Sequence, residues 1–118
     1  MGKIISKIRT EKMKAQSGLC HYCRQPMWSD NLAVFCKRFR LSLKRGAKFR
    51  CTAEHLHAKS EGGKDTSKNI VAACWFCNQH RHFSKRPLDP DAFATKVRKR
   101  LAAGKWHGFV ASQPSLLP

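Results

Sequence analysis

The stretch that decides the reading runs Glu54-His55-Leu56-His57-Ala58-Lys59-Ser60-Glu61-Gly62-Gly63 and resumes at Asn69-Ile70-Val71-Ala72-Ala73-Cys74-Trp75-Phe76-Cys77-Asn78. It places a short β-prone run, Cys51 to His57, before a loop with two adjacent glycines. A second short strand follows from Asn69 to Ala73. The glycines suit backbone with positive φ. A knuckle at Cys74 then runs into a helix extending to about Ser84, on which Asn78 and His82, four residues apart, share one face. Glu54 and His55 are strand neighbours, so their side chains leave opposite faces unless the strand bends.

Upstream, Cys20-His21-Tyr22-Cys23 repeats the spacing of Cys74-Trp75-Phe76-Cys77. A C-x-x-C turn offers two thiolates from one tight bend, and two such turns complete a tetrahedral zinc site. Cys20, Cys23, Cys74 and Cys77 are the natural four ligands. Four thiolates leave no open position for water, so that zinc is structural. His21 and His80 lie in or beside the knuckles as alternate ligands of lesser rank. Cys36 and Cys51 are left over, with Cys51 read as a small core residue. Trp75 and Phe76 are expected to pack in the core around the zinc.

The outer segments are less specific. Lys3 to Gln16 reads as a helix with Ile4, Ile5, Ile8 and Met13 near one face, ended by Ser17-Gly18. A turn follows at Gln25-Pro26. The basic insertion over about residues 28–50 carries period-2 alternation at Phe39, Leu41 and Leu43. That pattern predicts a hairpin with Gly46 in its turn and Phe49 opening the next strand. Pro87 and Pro90 break the chain before a helix over about residues 91–103, with Phe93, Val97 and Leu101 on one face and Gly104 at its end. Residues 112–118 read as a loose tail.

Composition narrows the function. Lys and Arg number 24 against 7 Asp and Glu, and the net charge of the 118 residues is +17. That balance favours a polyanionic partner, nucleic acid before membrane or acidic protein. Lys37, Arg38, Arg40, Lys44, Arg45, Lys48 and Arg50 are the candidate phosphate-binding face. No run approaches a membrane span, and Met1 to Lys14 carries no apolar signal segment. A cytoplasmic location is therefore expected, with the cysteines binding metal rather than pairing as disulfides.

Together these residues resemble the HNH endonuclease family in its zinc-bearing form. The shared elements are an acidic residue followed by His, a Ser-x-Gly-Gly loop, Asn-Ile, and C-x-x-C-Asn, preceded by the Gly18 to Cys23 knuckle. The resemblance spans about residues 17–83. It implies an α+β fold: a small zinc-stabilised ββα-metal domain with flanking N- and C-terminal helices, the whole chain forming one domain. It implies a metal-dependent DNA endonuclease that hydrolyses phosphodiester bonds, with RNA also open as substrate. His55 would be the general base. Glu54 and Asn78, with His82 as a third position, would hold one catalytic divalent cation, magnesium or manganese. Asn69 would hold the loop and orient His55 through backbone contacts. A phage, mobile element or bacterium would suit such a protein. Glu54 stands where Asp is common, lengthening the ligand arm by one methylene, and Ala58 stands where proline is common. Apart from the resemblance, a non-catalytic zinc-ribbon nucleic-acid-binding module accounts for the charge and the four cysteines equally well.

Overall fold

The computed structural model describes residues 2–111; the expected tail at 112–118 lies outside them. Five helices and two strands follow in order: α1 (Lys3–Ala15), α2 (Leu32–Phe39), α3 (Leu43–Gly46), β1 (Cys51–His55), β2 (Ile70–Cys74), α4 (Trp75–His82) and α5 (Pro90–Ala102). Short 3-10 turns sit at Ala47–Phe49 and Lys59–Glu61. The fold is α+β, as the resemblance implies.

β1 and β2 pair antiparallel, from Cys51 opposite Cys74 to His55 opposite Ile70. Every residue of β2 is buried. Two strands alone cannot bury both faces, so helices cover them. On one side α1 lays Ile5 and Ile8 against Ile70 and Ala53. Ile4, expected on that face, is 65% exposed, because a helix turning 100° per residue cannot bury both Ile4 and Ile5 against a two-stranded ribbon. Gln16, just past α1, closes the outer edge of β2. Its Nε2 donates to the Ala72 carbonyl at 2.8 Å and its Oε1 accepts from the Ala72 amide at 2.9 Å. Ser17 and Gly18 both take positive φ and end the helix as expected.

The basic insertion is helical, not a hairpin. Asn31 caps α2 by accepting from the Val34 amide, and Phe35 and Phe39, four residues apart, turn inward to pack on each other. Arg40 then takes the left-handed conformation and Ser42 caps α3. The alternation at Phe39, Leu41 and Leu43 misled because it straddles this helix boundary; Leu43 is 60% exposed. Gly46 is buried against the Cys36 sulfur, where a Cβ would collide, so it serves a close approach rather than a hairpin turn.

Asp89 caps α5 and Pro90 occupies its first turn, so Pro90 opens the helix instead of only breaking the chain. Phe93, Ala94 and Val97 are buried beneath it. Beyond α5 the chain doubles back as a strap that the sequence did not announce. Phe109 is buried against Phe35, Phe39 and Phe49, and the Ala111 amide donates to Gln25 Oε1 at 2.8 Å. Among the described residues no helix is long and apolar enough to cross a membrane.

Candidate functional site

The four cysteine sulfurs of Cys20, Cys23, Cys74 and Cys77 lie within 4.8 Å of one another and all four residues are buried. Burial pushes the Cys74 and Cys77 thiols well above their ordinary range, with the Cys20 and Cys23 sulfurs adding to both. Sulfurs gathered this closely can share one soft cation, which would draw them into the thiolate form. N–H donors converge on it: the Cys74 amide reaches Cys20 Sγ at 3.3 Å, the Cys77 amide reaches Cys74 Sγ at 3.4 Å, and Trp106 Nε1 reaches Cys77 Sγ at 3.4 Å. This donor set and its second layer of N–H groups fit a structural zinc. Neither His21 nor His80 belongs to the cluster; His80 Nδ1 instead meets the Phe76 carbonyl at 2.9 Å.

The same knuckle launches α4 across β1. Four helical residues rise about 6 Å and two strand residues about 6.6 Å, so Asn78 and His82 can sit above Thr52 and Glu54 in step. They do. Asn78 Nδ2 donates to Thr52 Oγ1 at 3.0 Å and to the Ala53 carbonyl at 3.4 Å, while His82 Nε2 lies 2.9 Å from Glu54 Oε1. Glu54 is only 1% exposed. Its second oxygen, Oε2, accepts from Tyr22 Oη at 2.7 Å and from Arg81 Nη1 at 2.8 Å. Burial pushes the Tyr22 hydroxyl up and the Glu54 carboxylate adds to it, so Tyr22 stays a donor.

Asn69 fastens the loop between the strands. Its Oδ1 accepts from the His57 amide at 2.8 Å, and its Nδ2 donates to the carbonyls of His57 at 3.1 Å and Lys64 at 3.0 Å. Gly62 takes φ 93°, as its place in the loop required. Gly63 is needed for another reason: a Cβ there would overlap the His57 carbonyl.

The family model of the HNH endonuclease matches residues 43–84, a span holding β1, the loop, β2 and α4. Residues 43–84 are thus similar to the HNH endonuclease family. Comparison with curated proteins and with solved structures returns no match. The HNH match begins after the first knuckle, and the fold itself brings Cys20 and Cys23 to the HNH segment's Cys74 and Cys77.

Within the matched segment the side chains of Glu54 and His55 diverge, as strand alternation requires. Glu54 faces α4, whereas His55 Nε2 meets Asp65 Oδ1 at 2.8 Å on the glycine loop. Lys59 Nζ holds the other oxygen of Asp65 at 2.8 Å. The Lys59 ammonium, followed by His55, keeps the Asp65 carboxyl below its usual range. Arg81 links the two sides: Nη1 also donates to the His55 carbonyl and Nη2 to the Leu56 carbonyl, both at 3.1 Å. Tyr22, Asp65 and Arg81 were not singled out from sequence. Arg81 carried one signal, its place three residues after Asn78 on the same helical face.

A cleft of about 650 Å³ opens beside His82, lined also by His57, Arg81, Lys85 and Arg86. His55 borders a separate, smaller cleft with Arg9, Arg50 and Thr52. Lys37, Arg38, Arg40, Lys44, Arg45, Lys48 and Arg50 are all exposed on α2, α3 and the turn after it. Trp75, expected in the core, is 37% exposed, while Phe76 packs against Trp106 as foreseen. Trp75 is the first residue of α4 and faces away from the sulfurs that its neighbours Cys74 and Cys77 turn inward.

Proposed function

We propose that this protein is a metal-dependent endonuclease that hydrolyses phosphodiester bonds in DNA. The observation that carries the reading is the convergence of Glu54 Oε1 and His82 Nε2 at 2.9 Å on the face between β1 and α4. Tyr22 and Arg81 close off Oε2, so Glu54 offers a single oxygen on that face. Asn78 uses Nδ2 for both of its hydrogen bonds, which leaves Oδ1 as its accepting atom. Glu54, His82 and Asn78 thus present oxygen and nitrogen donors suited to magnesium or manganese. Such a cation, when bound, offsets charge on the phosphate and on the leaving 3′ oxygen.

His55 supplies the base. Asp65 accepting from Nε2 leaves Nδ1 with its lone pair, the tautomer that can take a proton from water. Arg81 fixes the backbone carbonyl of His55 and the carboxylate of Glu54 together, so the base and the cation donors keep one spacing. The exposed cations from Lys37 to Arg50 hold the substrate backbone without reading its sequence.

A second reading rests on a specific contact. Both oxygens of Glu54 already have protein partners, which a nucleic-acid-binding module without cleavage would retain. A supercoiled-plasmid assay with and without magnesium or manganese decides between them. Cleavage that requires added magnesium or manganese, and that His55→Ala lowers by a factor of about 100 or more with zinc content and folding intact, supports the nuclease. Tight plasmid binding with no cutting in either ion supports the module.

A further inference from the structure

We propose that Trp75 is a stacking platform for an unpaired nucleobase, flanked by Lys44, Lys48 and Arg50 as phosphate contacts. The inference rests on the nucleic-acid reading above and adds a binding site to it. Trp75 opens α4 at the end of the hairpin far from His55, its amide donating to the Arg50 carbonyl at 2.8 Å. With 37% of its surface in solvent, its indole borders a cleft of about 330 Å³ whose other walls are Lys44, Ala47, Lys48 and Arg50.

No acidic residue lines this cleft, and among the described residues none of the three cations joins an ion pair. The contrast with other basic residues is direct. Arg81 is committed to Glu54, Lys59 to Asp65, and Arg98 to the carbonyls of His21 and Tyr22. The other two tryptophans spend their indole N–H inside the protein, Trp28 on the Gly46 carbonyl and Trp106 on Cys77 Sγ. Among the described residues the Trp75 indole has no hydrogen-bond partner, and Trp75 lies outside both core clusters.

A solvent-facing indole ringed by unpaired cations matches single-stranded nucleic acid. The ring stacks on any base and the cations take the neighbouring phosphates. A rigid duplex offers its base faces only where the stack is opened. Cys51 to His55 spans four strand steps, about 13 Å, and Trp75 follows Cys74, the partner of Cys51, so the platform stands at the other end of the hairpin from His55. The site would therefore favour substrates with an unpaired or displaced base on one side of the cut.

Fluorescence anisotropy with a labelled 20-nucleotide oligothymidine and a blunt duplex of equal length tests this, using full-length protein in buffer free of magnesium and manganese, with zinc content checked. The expected result is that Trp75→Ala weakens oligothymidine binding about tenfold to a hundredfold and duplex binding much less, while Trp75→Phe keeps most of the affinity. Lys48→Gln should weaken both probes and flatten their salt dependence. Equal losses on both probes for Trp75→Ala, or no loss on either, overturns the platform. If Trp75→Ala loses zinc or folds poorly, Trp75→Phe and Lys44→Gln carry the test, and the platform fails if Lys44→Gln leaves oligothymidine affinity unchanged. Wild-type protein that cuts plasmid while Trp75 proves dispensable defeats this proposal alone. Wild-type protein that neither binds nor cuts any nucleic acid defeats the functional reading and the platform with it.

Discussion

Arg81 and Glu54 form an ion pair at 2.8 Å in which the arginine side chain is 6% exposed and the glutamate 1%. Two charges withdrawn so far from water depend on each other. Removing one partner strands the other, which typically costs about 3–5 kcal/mol. Arg81→Met is therefore expected to lower unfolding free energy by about that amount. Joining it to Glu54→Leu should recover much of the loss. A double-mutant cycle in urea, with zinc content followed in parallel, measures the coupling.

Zinc should be inseparable from folding. Apparent binding energies of structural zinc run to about 10–16 kcal/mol, comparable to or above the whole stability of a small domain. Cys77→Ser, or a strong chelator, is expected to abolish the cooperative thermal transition. A protein that keeps its transition after complete zinc removal, measured by atomic absorption, would contradict the four-sulfur centre.

The glycine loop should loosen when Asn69 is cut back. Its amide satisfies three backbone groups of the loop. Asn69→Ala should cost about 1–3 kcal/mol and speed amide exchange across residues 57–64. Asn69→Asp keeps the acceptor for the His57 amide but loses both donated bonds, so its cost should fall in between.

His107 should make stability fall in mild acid. Burial holds it neutral, with its ionisation depressed to about 4 against an ordinary 6.5. Its Nδ1 accepts from the Phe109 amide at 3.0 Å, and its Nε2 is buried with no hydrogen-bond partner in the described structure. The unfolded chain takes up the proton near pH 6.5 and the folded chain only near pH 4. The destabilisation is absent above about pH 6.5 and grows as pH falls through that window. Thermal melts of wild type and His107→Leu between pH 7 and 4.5 should diverge, with the wild type losing Tm faster. Parallel curves would contradict this account.

How much was readable in advance depended on the kind of signal. The cysteine pairs, the hairpin between them and the helix carrying Asn78 and His82 are written in fixed spacings, and local geometry preserves those. The insertion from Trp28 to Arg50 was misread because a helix of 8 residues, a left-handed Arg40 and a single turn of α3 produce an apolar pattern that alternates by accident. Its true markers were the caps Asn31 and Ser42. Asp65 and Arg81 were overlooked for a different reason. Each acquires its role from a partner that only the folded chain brings near: His55 for Asp65, Glu54 for Arg81. The burial of Phe109 had no local signature either, since it depends on α2 offering Phe35 and Phe39.

Cys74 ends β2, offers one sulfur to the metal cluster, and caps α4 by accepting from the Cys77 amide. The helix that carries Asn78, Arg81 and His82 is thus capped at its start by a member of the sulfur cluster, while its side chains tie it to β1 further along. A disturbance at the sulfur cluster should therefore be felt at Glu54, because the residue that joins the cluster also sets where the helix starts.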